Sequence, residues 1–332
     1  MGVKAFRKIQ FGIETTAGTE VNASVLWRGI GVPNDDLKLE YTPEDIGYLS
    51  GIDRTYIASY LGGLDLEATP ATFQQLPYIL TSGVKALTTG VADGVGSGKI
   101  YAYPFPITAA NTISNFTIEG GDDAGEEQML YGFTKSFKLT GKPEEALMMS
   151  ATMVGRQLAP GTFTAAVAVP TVQDILFNKG KLYIDAIGST IGTTVKANTF
   201  LGFELNVDTG WQPVRTADGE LYYSFLKQTS DALKVTAQVT FEHDAIAVAQ
   251  KGIWRAQTPI KLRTLFEGNT LTTAGAFTKY SLQIDMAGKW TSFDKIGENN
   301  GNDTVVGNFQ ANYDATGAMF ATITVVNEST TL

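Results

Sequence analysis

LDLEATPATFQQLPYILTSG, Leu64 to Gly83, reads as a strand running straight into a short helix. Leu64 and Leu66 alternate with Asp65 and Glu67, the period of a half-buried strand. Thr69 stands where a cap belongs, Pro70 suits a first helical position, and Phe73, Leu76, Pro77 and Leu80 share one helical face before Gly83 closes it. The same plan returns in VTFEHDAIAVAQKGIWRA, Val239 to Ala256. There Val239 and Phe241 alternate with Thr240 and Glu242, and a helix is expected from about Ala245 to Ala256, carrying Val248, Ala249, Ile253 and Trp254. Setting Leu66-Glu67 on Phe241-Glu242, an offset of 175, places Pro77 against Gly252. Both residues weaken a helix, by roughly 3 and 1 kcal/mol, so a shared bend is expected.

Working outward, the echo extends along the chain. Ile9 to Glu14 predicts a first strand, followed by a Thr15 to Thr19 loop and the apolar run Val25-Leu26-Trp27. In the later half Ile184-Asp185 answers Ile13-Glu14, Gly192-Thr193 answers Gly18-Thr19, and Phe200-Leu201 answers Val25-Leu26. Pro33 to Arg54 is polar, acidic and broken by Pro and Gly, and Asp208 to Glu220 answers it. A connection of that length is usually functional or mobile, so Asp35, Asp36, Glu44, Asp45, Tyr48 and Arg54 are read as a loop or arm reaching a neighbouring subunit, the alternative being a long hairpin lying on its own domain. Strands are expected at Ile100 to Tyr103, Ile113 to Glu119, Phe137 to Thr140, Tyr280 to Asp285 and Val305 to Tyr313. Leu147, Met149, Ala151 and Met153 match Met319, Ala321, Ile323 and Val325 at an offset of 172, so each half is expected to end in a hairpin. The fold class is therefore mainly β: two tandem, pseudo-repeated β-sandwich or barrel domains, residues 1–160 and 161–332, each with one short flanking helix, joined near Leu158 to Thr171.

Composition narrows the chemistry. There is no cysteine, so disulfides and thiol catalysis are excluded. No apolar run reaches the roughly 18 residues of a membrane helix, and MGVKAFRKIQFG lacks the apolar segment of a signal peptide, so no membrane insertion and no export are expected. The formal charge of −9 argues against gripping a phosphate backbone. His243 is the single histidine, which excludes multi-histidine metal sites, and its neighbours Glu242 and Asp244 point to a helix-cap or surface role. No G-x-S-x-G elbow accompanies it. GVGSG at Gly94 to Gly98 lacks nucleotide-fingerprint spacing. Glu298 to Asp303 lacks the calcium-loop order, and reads as a polar turn. Tyr101, Tyr103 and Phe105 have no interleaved Arg or Lys and are read as core or interface. No enzyme, cofactor or metal is expected.

The chain resembles the major tail tube proteins of long-tailed bacteriophages over nearly its full length. The likeness is carried by FGIETTAGTEV at Phe11 to Val21, EDIGYLSGIDRTY at Glu44 to Tyr56, ATPATFQQLPYIL at Ala68 to Leu80 and FTIEGGDD at Phe116 to Asp123. NKGKLYID at Asn178 to Asp185 and FEHDA at Phe241 to Ala245 add to it. The resemblance implies a virion structural protein: rings stacked into the hollow tail tube that conducts DNA into the host, assembled in the bacterial cytoplasm. It also implies contact with tape-measure, tail-tip and tail-terminator proteins. A duplicated chain is expected to close as a trimer with pseudo-sixfold symmetry, carrying three times −9, or about −27, per ring. An acidic lumen would let DNA pass without specific binding; Asp122, Asp123, Glu126 and Glu127 are candidates to face it, the alternative being a solvated outer loop. Two other classes stay open: a soluble ligand- or carbohydrate-binding β-sandwich, and a tube protein like that of type VI secretion.

Overall fold

A computed structural model describes residues 2–49 and 51–332. It is mainly β. The strands are β1 (Lys8–Ile13), β2 (Val25–Leu26), β3 (Gly31–Pro43), β4 (Ile52–Pro70), β5 (Val91–Ala92), β6 (Lys99–Pro104), β7 (Phe116–Gly121), β8 (Glu126–Gly141), β9 (Met148–Gly155) and β10 (Leu158–Pro160). After the linker come β11 (Gly180–Ala186), β12 (Phe200–Val214), β13 (Phe225–Glu242), β14 (Ile260–Thr270), β15 (Lys279–Phe293), β16 (Gly297–Asn299), β17 (Asn302–Ala311) and β18 (Ala321–Asn327). Helix α1 (Leu76–Gly83) follows β4, and α2 (Ala245–Arg255) follows β13. Among the described residues no helix is long and apolar enough to cross a membrane.

Every ladder is antiparallel, and the order of partners runs in parallel through the chain. In the first half it is β1-β7-β8-β9-β4-β3. In the second it is β11-β14-β15-β17-β13-β12. The long strands β8 and β15 each serve two layers. The N-terminal part of β8 pairs with β7 and β10, and its C-terminal part with β9. The register shift at Thr134/Ser136 marks the crossing, since a bulge bends and twists a strand. In β15 the N-terminal part pairs with β14 and β18, the C-terminal part with β17, and the shift falls at Trp290/Ser292. One continuous apolar core contains residues of both halves, among them Phe137 and Leu139 from β8 with Leu205 and Val207 from β12.

Several expectations need correction. Pro33 to Arg54 is not a loop: β3, ending at Pro43, and β4, starting at Ile52, form a long hairpin. Helix α1 starts later than expected: Pro70 still pairs with Met148, the regular helix begins at Leu76, and the side chain that caps the turn leading into it is Thr72, whose Oγ1 accepts from Gln75 N and whose carbonyl accepts from Leu76 N, both at 3.1 Å. Asp244 caps α2 in the same way, accepting from Ala247 N at 2.9 Å. Matching these two caps gives an offset of 172, which sets Pro77 against Ala249 and removes the shared bend. The second half does not end in a hairpin. β17 and β18 lie one after the other along β15, as β9 and β10 lie along β8. The long strand β14 was not anticipated.

Candidate functional site

The halves are joined strand to strand. The outer edge of β12 pairs with the C-terminal part of β8 from Phe203 opposite Gly141 to Asp208 opposite Ser136. The ladder carries one sheet without a break through β3-β4-β9-β8-β12-β13-β17-β15. Residues directly opposed across it form rows. One row reads Met149, Leu139, Leu205, Ala237, Phe309, Trp290, all buried. The next reads Ser150, Lys138, Asn206, Thr236, Gln310, Lys289, all polar. Period two therefore gives the joined sheet an apolar face on the core and a polar face towards solvent. Shallow grooves run over the polar face across the joint, lined by Asp65, Ser136, Lys138, Thr152, Asn206 and Asp208. Its charges are mixed, with Asp65, Asp208 and Glu204 set among Lys138, Lys234 and Lys289, and Lys138 Nζ lies 2.8 Å from Glu204 Oε1.

Side chains of the β12–β13 arm fasten the joint. Thr209 Oγ1 donates to the carbonyls of Thr134 and Lys135 at 2.9 and 2.8 Å. Buried Trp211 donates its indole N–H to Gly83 O, at the end of α1, at 3.0 Å. Tyr223, fully buried, donates to Tyr131 O at 2.6 Å, and burial pushes its phenol well above the ordinary tyrosine value. Arg156 donates to the carbonyls of Tyr223 and Ser224 at 3.0 and 3.1 Å and lies over the Tyr131 and Tyr222 rings. Phe133, Val154, Trp211 and Tyr223 make a small apolar cluster of their own. Towards its tip the β3–β4 arm has no such seat among the described residues: Leu37, Leu39, Tyr41, Tyr48 and Tyr56 stand exposed, while nearer its base Tyr60 N donates to Leu221 O and Tyr60 O accepts from Arg215.

The expected contact residues all lie on this free arm. Asp35 and Asp36 are on β3, Glu44, Asp45 and Tyr48 in the tip, and Arg54 on β4, with Arg54 Nη2 2.7 Å from Glu44 Oε1. The proposed lumenal acids sit elsewhere, at the β7–β8 turn. Asp122 accepts from Ala124 N, Asp123 from Val3 N, and Glu126 from Phe163 N in the linker, while Glu127 opposes Gly120 and Pro160. His243 only precedes the α2 cap, its backbone N–H donating to Asp303 O. Tyr101, Tyr103 and Phe105 are core residues.

Two carboxylates brace matching turns. Glu14 accepts from Gly18 N at 2.6 Å and Tyr131 N at 2.7 Å, yet burial raises its carboxyl above the ordinary value. Asp185 accepts from the backbones of Gly192, Thr193 and Thr194; burial opposes its charge, but these hydrogen bonds and the Thr193 hydroxyl hold it down at about 2. Gly18 and Gly192 both adopt positive φ, +78° and +87°, which only glycine takes without strain. A second clamp ties the halves at the other end. β18 pairs with β6, Asp93 accepts from Ala276 and Phe277 N, and Glu328 accepts from Ser97, Tyr280 and Thr272, which hold its carboxyl at about 2.

Sequence reading missed the joint itself, since a ladder between distant strands leaves no local pattern. A usable signal was the contrast between FLGFELNVDTGW, whose apolar residues alternate along β12, and β3, which opens on the polar Asn34-Asp35-Asp36. No protein-family model matches this chain, and a search of curated proteins finds no match either.

Proposed function

We propose that this chain is a structural subunit that assembles with copies of itself into stacked rings, forming the hollow tail tube of a long-tailed bacteriophage. The observation that carries the reading is the joint between the halves. An unpaired sheet edge is a template for further pairing, which proteins normally blunt, and here one half uses such an edge to receive the other. A chain built from two units joined edge to edge can continue that joint into a neighbour, and closure leaves no edge in the wall. The joined sheet has one face committed to the core, so its polar face is left to line the bore. That face bears balanced rather than uniformly acidic charge, so DNA would slide past a hydrated wall with no strong phosphate grip. Placement in the virion, and contacts with tape-measure, tail-tip and terminator proteins, belong to the same proposal and rest on the resemblance. Negative-stain microscopy of the purified protein tests it. Hollow striated tubes are expected, and a mass per unit length corresponding to three chains per ring rather than six; a protein that stays monomeric at all concentrations refutes it.

A further inference from the structure

We propose that the joint inside the chain is repeated between copies: the outer edge of β3 in one copy pairs antiparallel with the C-terminal part of β15 in the next, and the β3–β4 arm lies against that copy's Trp254, near the end of α2. This rests on the reading of the chain as a self-assembling subunit and adds which surfaces meet, in what register and in which direction.

Both surfaces are open among the described residues. There β3 has a ladder on one side only, with β4. On β15 the ladder with β14 ends at Gly288, so Lys289 to Phe293 pair with β17 on one side and have no strand on the other among the described residues. In the first half the corresponding edge of β8, past the end of its β7 ladder at Gly132, is the one that β12 occupies.

The register follows from landmarks. Matching the two bulges places Ser136 on Ser292 and Lys135 on Thr291. Followed through the ladders of β9 with β17 and of β4 with β13, the match places Pro33 on Leu205, an offset of 172, the value given independently by the two helix caps. Asp208 opposite Ser136 then becomes Asp36 of one copy opposite Ser292 of the next. The side chains fit the exchange. Thr209, which gives its hydroxyl proton to Lys135 O, corresponds to Leu37, which has no proton to give. The carbonyl corresponding to Lys135 O is Thr291 O, already satisfied by the Trp254 indole N–H at 3.0 Å. Leu37 would meet that indole, apolar against apolar. Trp211 corresponds to Leu39, and the exposed Leu37, Leu39 and Tyr41 gain cover. On the receiving side Val248 of α2 is 58% exposed where its cap-matched counterpart in α1, Leu76, is fully buried. The occupant is a second copy because this chain already holds the same kind of contact between its own halves. Such a contact is heterologous, so it runs head to tail and closes as a ring or extends as a helix.

Cysteine pairing tests it on a chain with no cysteine of its own. Directly opposed antiparallel residues lie about 4.5–5.5 Å apart at Cα, within the roughly 4.4–6.8 Å a disulfide spans. Asp36→Cys with Ser292→Cys is expected to give a ladder of covalent multimers on oxidation, each single variant none. Asp208→Cys with Ser136→Cys, the internal template, closes within the chain with no gain in mass. Tubes that form while the Asp36/Ser292 pair stays monomeric and the template pair closes would overturn this interface and leave the tube reading standing. A chain that never associates would overturn both. As a second variant, Leu37→Asp should keep the far-UV spectrum and raise the critical concentration for assembly by about tenfold or more, because assembly would bury an unpaired charge; an unchanged critical concentration contradicts the inference.

Discussion

Replacing Trp211 by Ala tests whether the second arm is held on the first half as strongly as its contacts require. Trp211 is 5% exposed, packs with Phe133, Val154 and Tyr223, and gives its indole proton to Gly83 O. Truncating a buried tryptophan costs about 3–5 kcal/mol through lost transfer energy and the cavity left behind. Trp211→Phe keeps most of the ring but orphans the Gly83 carbonyl, a loss of about 1–3 kcal/mol. The expected order of stability is therefore wild type, then Trp211→Phe, then Trp211→Ala. Urea unfolding followed by far-UV ellipticity reads it. At a slope of about 3 kcal/mol per molar, Trp211→Ala lowers the midpoint by about 1–2 M. Leu39→Ala, at the corresponding place on the free arm, should move it very little, because exposed substitutions usually stay within about 0.5 kcal/mol. A Trp211→Ala midpoint within about 0.2 M of wild type, or equal to that of Leu39→Ala, would show that the arm is not seated in solution and would refute the reasoning.

Other outcomes follow from the same contacts. Arg263 and Asp285 form a two-bond pair at 2.6 and 2.7 Å, largely buried, so Arg263→Met should cost about 3–5 kcal/mol by stranding the carboxylate, read as a lower urea midpoint. Asp285→Asn in the same background should recover part of that loss. Asp185 and Glu328 are both held at about 2, below their ordinary values of 3.8 and 4.5. Their contribution is complete above the ordinary carboxylate range and is lost as pH falls through about 2, so thermal midpoints should drop between pH 4.5 and 2. Asp185→Asn should flatten that drop, and an unchanged slope contradicts the assignment. Glu14, raised by burial, acts in the opposite sense. Tyr41→Asp should leave the subunit's own midpoint unchanged within about 0.5 kcal/mol while weakening assembly, measured by sedimentation.

The sequence showed most of the strands and both helices, because a strand or helix with one buried face writes its period into the chain. Leu147 to Met153 alternate, and β9 alternates in burial in the same way. Ile260, Leu262, Thr264 and Phe266 alternate just as clearly, so the period of β14 is also written in the sequence. β3 was legible only in part. Leu37, Leu39 and Tyr41 alternate with Lys38 and Glu40, the period of a strand, but the polar Pro33-Asn34-Asp35-Asp36 start reads as a turn, and the segment extends, mostly exposed, because it pairs with β4. The start of α1 was misplaced because Thr69-Pro70 looks like a cap followed by a first helical residue, whereas Ala71 N and O bond to the backbones of Leu147 and Ile175 and carry the extended chain two residues further. The joint between the halves could not be read from local pattern at all, being a pairing between residues some seventy positions apart, such as Phe137 and Val207.

The most direct test of the account is the structure of the assembled polymer by cryo-electron microscopy. The prediction is a hollow tube in which the contact between neighbouring chains of a ring superposes on the β8–β12 contact within each chain, with Asp36 opposite Ser292 and the polar sheet face turned to the bore. A filament without a bore, or a tube whose chains meet through other surfaces while β3 and the end of β15 remain unpaired, would contradict it.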